Sequence, residues 1–169
     1  MNGQGCVREA RVYGVHVLRI EGEVRYTIAP VVERFLDRLF ARAAVGSVLV
    51  DLTDATFLDS TMLGVVARIA GRMRALHNAK PTIVCNSGDI LTLLRSMGFD
   101  QVFDVVSGAS SGARGALPVV AAADGSSPEA RELARTVLDA HRTLAAMNPQ
   151  NEAVFHDVVE MMERELADD

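Results

Sequence analysis

Cysteine is scarce in this chain of 169 residues: Cys6 lies near the N-terminus and Cys85 inside an apolar run. Neither belongs to a Cys-x-x-Cys or Cys/His spacing, so both read as reduced thiols and no metal site is expected. No apolar run reaches the length that crosses a bilayer, and the opening Met-Asn-Gly-Gln-Gly-Cys-Val lacks the apolar core of a signal peptide. The expectation is a cytoplasmic protein that does not enter a membrane. Positive charge is also short, with 17 Lys and Arg against 22 Asp and Glu for a formal net charge of −5. A net acid is repelled by phosphate backbones and anionic lipid, which argues against nonspecific binding to nucleic acid or a membrane surface. Missing too are a P-loop, a dinucleotide fingerprint, a zinc motif and a nucleophile elbow. His16, His77, His141 and His156 are scattered without ligand or triad spacing. No cofactor and no catalytic machinery are expected.

Hydrophobic residues make up 49% of the chain and charged residues 23%, enough for one folded domain with an appendage. Val7 to Ile20 is rich in Val, Tyr and Ile and broken at Gly14, which predicts two strands or a hairpin. Thr27 is placed to cap a helix with Pro30 in its first turn, and its apolar stripe runs from Ile28 to Phe40. Ser47–Asp51 predicts a central strand buried on both faces, and Leu52–Leu58 a loop. A helix from Thr61 follows, with Met62, Val66, Ile69, Met73 and Leu76 on one side. Thr82–Asn86 and Val102–Val106 predict two more strands, separated by a helix capped by Ser87 and ended at Gly98. Strands alternating with helices predict an α/β fold with parallel neighbours in the sheet.

Residues 107–127 turn to Gly, Ser and Ala and read as a linker, within which Leu117-Pro118-Val119-Val120 has the composition of an edge segment. Residues 128–169 predict two amphipathic helices in a hairpin, broken at Asn148-Pro149. The first carries Leu133, Val137, Ala140, Leu144 and Met147, and the second Phe155, Val159, Met162 and Leu166. Neither helix buries its stripe alone. The stripes pack on the α/β domain, on each other, or on a second molecule, as in a homodimer through the C-terminal helices.

The junction Phe57-Leu58-Asp59-Ser60-Thr61-Met62-Leu63-Gly64 is the chemical focus of the sequence. Spacing alone makes Ser60 an N-cap of the helix that follows. The same position suits phosphate, because a dianion at the positive end of a helix meets backbone donors. Opposite the apolar stripe of that helix lie Gly64, Gly71 and Ala75 beside Arg68. Two helix-interior glycines each cost about 1 kcal/mol relative to alanine, so a close approach is expected there. It is made by another helix of this chain or by a partner whose acids meet Arg68 and Arg72. Asp51, Asp54 and Asp59 open another reading, an Asp-phosphorylated receiver-like domain or a magnesium phosphatase centred on Asp51. No acidic pair follows the first strand and no Lys stands after a later one, which weighs against both.

Several ordered motifs resemble the STAS domain family, which includes bacterial anti-sigma factor antagonists. They are Gly22-Glu23-Val24, Val48-Leu49-Val50-Asp51-Leu52, Phe57 to Gly64, and Met97-Gly98-Phe99 with Val102-Phe103. The resemblance covers roughly residues 7–106 and implies a STAS domain over 1–106, a mixed sheet of about four to five strands with helices packed on it. It implies that Ser60 is the phosphoacceptor, with Thr61 the second choice, in a switch loop completed by Asp59, Met62, Leu63 and Gly64. Glu23, Arg25, Gly64, Arg68 and Arg72 are the expected partner-binding residues. The implied partners are an anti-sigma factor that is also a serine kinase, released by phosphorylation, and a PP2C-type phosphatase that resets the switch. Arg25 stands where many members have Asp, and Met62 where a small residue is usual. The helical tail is extra, which suggests a variant feeding a response regulator or a diguanylate cyclase. A STAS scaffold that is never phosphorylated and assembles through its tail is the alternative within the family.

Overall fold

In the computed structural model, residues 4–42, 45–109, 117–123 and 128–169 are described. The strands are β1 (Cys6–Val12), β2 (Val15–Val24), β3 (Val48–Leu58), β4 (Thr82–Val84), β5 (Asp104–Val106) and β6 (Val119–Ala122). The helices are α1 (Ala29–Ala41), α2 (Ser60–His77), α3 (Gly88–Ser96), the short α4 (Phe99–Val102), α5 (Ala130–Met147) and α6 (Pro149–Asp168). One mixed sheet runs β5-β4-β3-β2-β1-β6. Strands β2, β3, β4 and β5 are parallel neighbours joined through helices, and β1 is antiparallel to both β2 and β6. The expected α/β architecture is present, with one strand more than expected.

That strand, β6, comes from the stretch expected to be a linker. It covers the free edge of β1, where the Glu9 amide also donates to the Pro118 carbonyl at 3.1 Å and the Ala123 amide to the Gly5 carbonyl at 2.9 Å. Pairing satisfies backbone groups that an exposed edge would offer to other chains. Residues 110–116 and 124–127 of the expected linker lie outside the described residues.

Three local expectations are corrected. Thr27 does not cap α1: residues Tyr26–Ile28 form a 3-10 turn that feeds into the helix, with no side-chain cap. The stretch Leu52–Leu58 is not a loop but the second half of β3, because it keeps pairing with β2 as far as Val24–Leu58. Two register shifts let the long pair continue, one of them beside Gly22, whose φ of +67° suits glycine. The last strand begins at Asp104, since residues from Phe99 to Val102 turn once as α4 and stack Phe99 on Phe103 with ring centroids 5.6 Å apart.

The C-terminal hairpin docks on its own chain. Helix α5 lies across α2 and touches α1, and α6 packs on α5. Leu138, Ala140 and Leu144 are buried, and Phe155 follows from α6. Asn148 caps α6 by accepting from the Asn151 amide at 2.8 Å, and the Asn151 side-chain amide donates to the Met97 carbonyl at 2.9 Å. These bonds pin the hairpin's turn to the end of α3. A homodimer through the C-terminal helices would therefore use the outer side of α6, where Val154 and Met161 are exposed.

Packing on both sides explains why α2 is buried all round from Thr61 to Ala67. The expected stripe holds at Met62, Val66, Ile69 and Met73, but Leu76, in the last turn of α2, is 55% exposed. The two glycines part company. A Cβ on Gly64 would lie 2.7 Å from the Ala140 Cα and closer still to its carbonyl oxygen, whereas one on Gly71 meets nothing within 4 Å. Gly71→Ala should therefore stabilise the protein by about 0.5–1 kcal/mol in urea unfolding, and Gly64→Ala should destabilise it by about 1–3 kcal/mol.

Candidate functional site

The site grows from the end of β3. Asp59 leaves the strand with extended backbone, and its carboxylate clamps two segments: Oδ1 accepts from the Met62 amide at 2.9 Å and Oδ2 from the Tyr26 amide at 2.7 Å. Asp59, not Ser60, is thus the N-cap of α2, and Ser60 is its first residue. An ionised carboxylate accepts these amides more strongly than a hydroxyl would, which is why it takes the cap. The exchange of roles frees the Ser60 hydroxyl. It stands at the positive end of an 18-residue helix without being consumed by it.

That hydroxyl faces the hairpin. Ser60 Oγ lies 2.9 Å from His141 Nε2, while His141 Nδ1 lies 2.7 Å from the Val137 carbonyl one turn back on α5. A carbonyl only accepts, so Nδ1 carries a proton, and in the neutral ring Nε2 is left to accept from the Ser60 O–H. His141 is 6% exposed, and Phe155 of α6 meets its ring edge-on at 5.6 Å between centroids. No spacing in the sequence marks this histidine. The signal available was its place beside Val137, Ala140 and Leu144, on the stripe that had to be buried.

Beside Ser60 opens a cavity of about 560 Å³ between the start of α2 and the hairpin. Tyr26, Asp59 and Thr61 line it from the STAS side, and Met162 and Glu165 of α6, with Asp169 just after that helix, line it from the hairpin side. A rim on the sheet side is solvent-facing: Glu23 accepts from Arg25 Nε at 2.6 Å, and the Arg25 guanidinium lies 4.5 Å over the ring of Phe57. Phe57 and Tyr26 are 40% and 46% exposed. Arg25, which departs from the usual Asp, is spent on this local stack.

The other expected site residues fall into place unevenly. Thr61 is only 3% exposed, whereas Ser60 is half-buried, the less enclosed of the two. Met62 and Leu63 point into the core at 0% and 2% exposure, so the bulky Met62 does not crowd the site's surface as the sequence implied. Gly64 lies under Ala140 of α5. Arg68 and Arg72 do not reach the Ser60 rim. Arg68 donates to Glu33 at 2.8 Å, and Arg72 pairs with Asp37 and lies 5.3 Å from the Phe40 ring, both on α1.

Asp51 is fully buried in the middle of β3, not at its end, and accepts from the amide and hydroxyl of Thr53 at 2.9 and 2.6 Å. This placement gives no open carboxylate for a receiver or magnesium chemistry. Asp54 pairs with Arg19. His156, Asp157 and Glu160 approach one another on α6 but are all exposed, with nothing to exclude water from an ion.

A family model for the STAS domain matches residues 8–110. The chain belongs to the STAS domain family. Among solved structures, the STAS fold here is similar to the anti-sigma factor antagonist SpoIIAA in its unphosphorylated form, with 14% identity and a TM-score of 0.55 over 61% of this chain and 88% of that one. It also matches the Bacillus cell fate determinant SpoIIAA in the phosphorylated form, with 18% identity and a TM-score of 0.49 over 61% of this chain and 91% of that one. At these identities the likeness is one of fold. No curated protein sequence gives a significant match. The α5–α6 hairpin lies beyond the residues that the STAS model matches. Among the described residues, no helix is long and apolar enough to cross a membrane.

The Glu33–Arg68 pair between α1 and α2 sets a pH dependence. Burial pushes the Glu33 carboxyl above its ordinary value of 4.5 and outweighs the opposing pull of Arg68. Its Oε1 is buried without a hydrogen-bond partner among the described residues. The folded state thus holds this proton more tightly than the unfolded chain, so the protonated carboxyl's full contribution is present below pH 4.5 and is lost as pH rises through the raised folded value. Glu33→Gln should flatten that fall in urea unfolding measured across the series of pH. An unchanged slope would contradict it.

Proposed function

We propose that this STAS domain is a phospho-switch of the anti-sigma factor antagonist type, whose output is regulated protein binding and whose switch is Ser60. The observation that carries it is that Asp59 caps α2 in place of Ser60, which leaves the Ser60 hydroxyl at the helix N-terminus against His141 of the docked hairpin, beside an exposed rim of Glu23, Arg25, Tyr26 and Phe57. A partner seated on this rim meets a neutral hydroxyl. Phosphorylation replaces it with about −1.5 to −2 charges and a larger head group, which the helix end tolerates and a fitted partner surface does not.

The partner this reading assigns is an anti-sigma factor that is also a serine kinase. It transfers the γ-phosphoryl of ATP to Ser60: the Oγ–P bond forms, the bond to the β-phosphate oxygen breaks, ADP leaves, and the hydroxyl proton passes to a base on the kinase. A PP2C-type phosphatase returns the hydroxyl by hydrolysis. The setting is the cytoplasm of a bacterium, and the regulated output is transcription through a sigma factor, or a response regulator or diguanylate cyclase in a variant of the circuit. The protein itself performs no chemistry here. His141 spends Nδ1 on a carbonyl of its own helix rather than on an orienting carboxylate, so Ser60 and His141 form a structural contact rather than a triad.

Incubation with the serine kinase and ATP, followed by mass-spectrometric mapping, should place phosphate on Ser60 and none on Thr61. Ser60→Ala should abolish labelling while retaining kinase binding. A chain that takes no phosphate at either hydroxyl would be a STAS scaffold instead.

A further inference from the structure

We propose that the α5–α6 hairpin is an intramolecular occupant of the switch face that recognises the unmodified Ser60, so that phosphate on Ser60 and hairpin docking exclude one another. The inference deepens the reading of Ser60 as phosphoacceptor and rests on it for its physiological meaning. Its physical basis is the contact itself.

Three features make docking sensitive to that one oxygen. The Ser60 O–H donates to a buried nitrogen of α5 at 2.9 Å, a separation that leaves no space for a phosphorus atom and its oxygens between them. Phosphorylation removes the donor and leaves a buried acceptor without its partner. Retreat of the helix would undo close packing, because the Ala140 backbone rests on Gly64 and the turn of the hairpin is tied to Met97.

The remaining outlet for a phosphate is the adjoining cavity, and its charge is of the wrong sign. Asp59 lines it from the STAS side, and Glu165 of α6 and Asp169 just after it line it from the hairpin side, while no Lys or Arg among the described residues lines it. Asp59 faces the phosphate whether the hairpin is docked or not, and so does the N-terminus of α2. The groups that change are those the hairpin brings: Glu165 and Asp169, which repel, and His141, which attracts only when doubly protonated. The balance favours release.

The consequence for an external partner is competition. Unphosphorylated, the face is open to a partner only in the fraction of molecules whose hairpin has lifted, which lowers the apparent affinity by that fraction. Phosphorylated, the face rejects hairpin and partner alike. The tail then acts as a second reader of Ser60, inside the same chain.

The test uses the full chain with phosphoserine incorporated at position 60 during translation, so no kinase is needed. Amide hydrogen exchange by mass spectrometry should show residues 130–147 exchanging at least tenfold faster than in the unmodified protein, with β2 and β3 unchanged. Ser60→Ala, which deletes the hydrogen bond without adding charge or bulk, should raise exchange by less. Equal or slower exchange of α5 in the phosphorylated chain would overturn the proposal and leave Ser60 free to be a phosphoacceptor. Failure of any kinase to label Ser60 would defeat the proposed function, whereas the response of α5 to installed phosphate would still stand or fall by itself.

Discussion

A missing side chain sets the architecture of this molecule. Because Gly64 has no Cβ, the backbone of α5 comes to rest directly on α2, and Ala140, the residue at the crossing, is itself small and fully buried. That approach is what allows the hairpin to bury Leu138 and Leu144 and closes the second side of α2. It also carries His141 to Ser60. A larger residue at position 64 would lift α5, uncover part of α2 and break the contact with the hydroxyl together, so hairpin packing and the Ser60–His141 contact share one constraint.

Division of labour between two neighbouring residues prepares the site. Asp59 supplies the cap, and its second oxygen ties the 3-10 turn after β2 to the start of α2. Ser60 is thereby fixed in position while its hydroxyl is left to meet His141 of α5. A serine that capped the helix itself would lose that cap on modification, at a cost of about 1 kcal/mol. Here the cap of α2 does not depend on the hydroxyl, which contacts His141 of the tail instead.

Much of this was legible in the sequence where patterns are local. The alternation of strands and helices, the hairpin at Gly14, the Ser87 cap and the helical tail follow from periodicity and turn chemistry, and the ordered motifs from Gly22 to Phe103 led to the family. The errors arose where tertiary pairing overrides local character. Thr53, Asp54 and Thr56 look like loop residues, yet β2 extends alongside and holds them in β3. Val119 to Ala122 sit in a linker-like composition, and the edge segment singled out there is a strand because β1 offers an open edge. Helix phase shows that the face of Arg68 and Arg72 is available without showing that α1 supplies Glu33 and Asp37 to it. His141 could not be assigned at all, since its partner lies 81 residues away.

The central claim is that one face of α2 serves both the tail and the partner. It is tested most directly by titrating the kinase that labels Ser60 with unphosphorylated full-length protein and with a full-length Leu144→Glu variant, in which a charge at a fully buried hairpin position undocks α5 while the STAS surface is unaltered. Circular dichroism would establish that the variant remains folded. The shared face requires the variant to bind at least tenfold more tightly, by removing the competitor. Equal affinity of the two proteins would mean that the partner and the tail do not meet at Ser60.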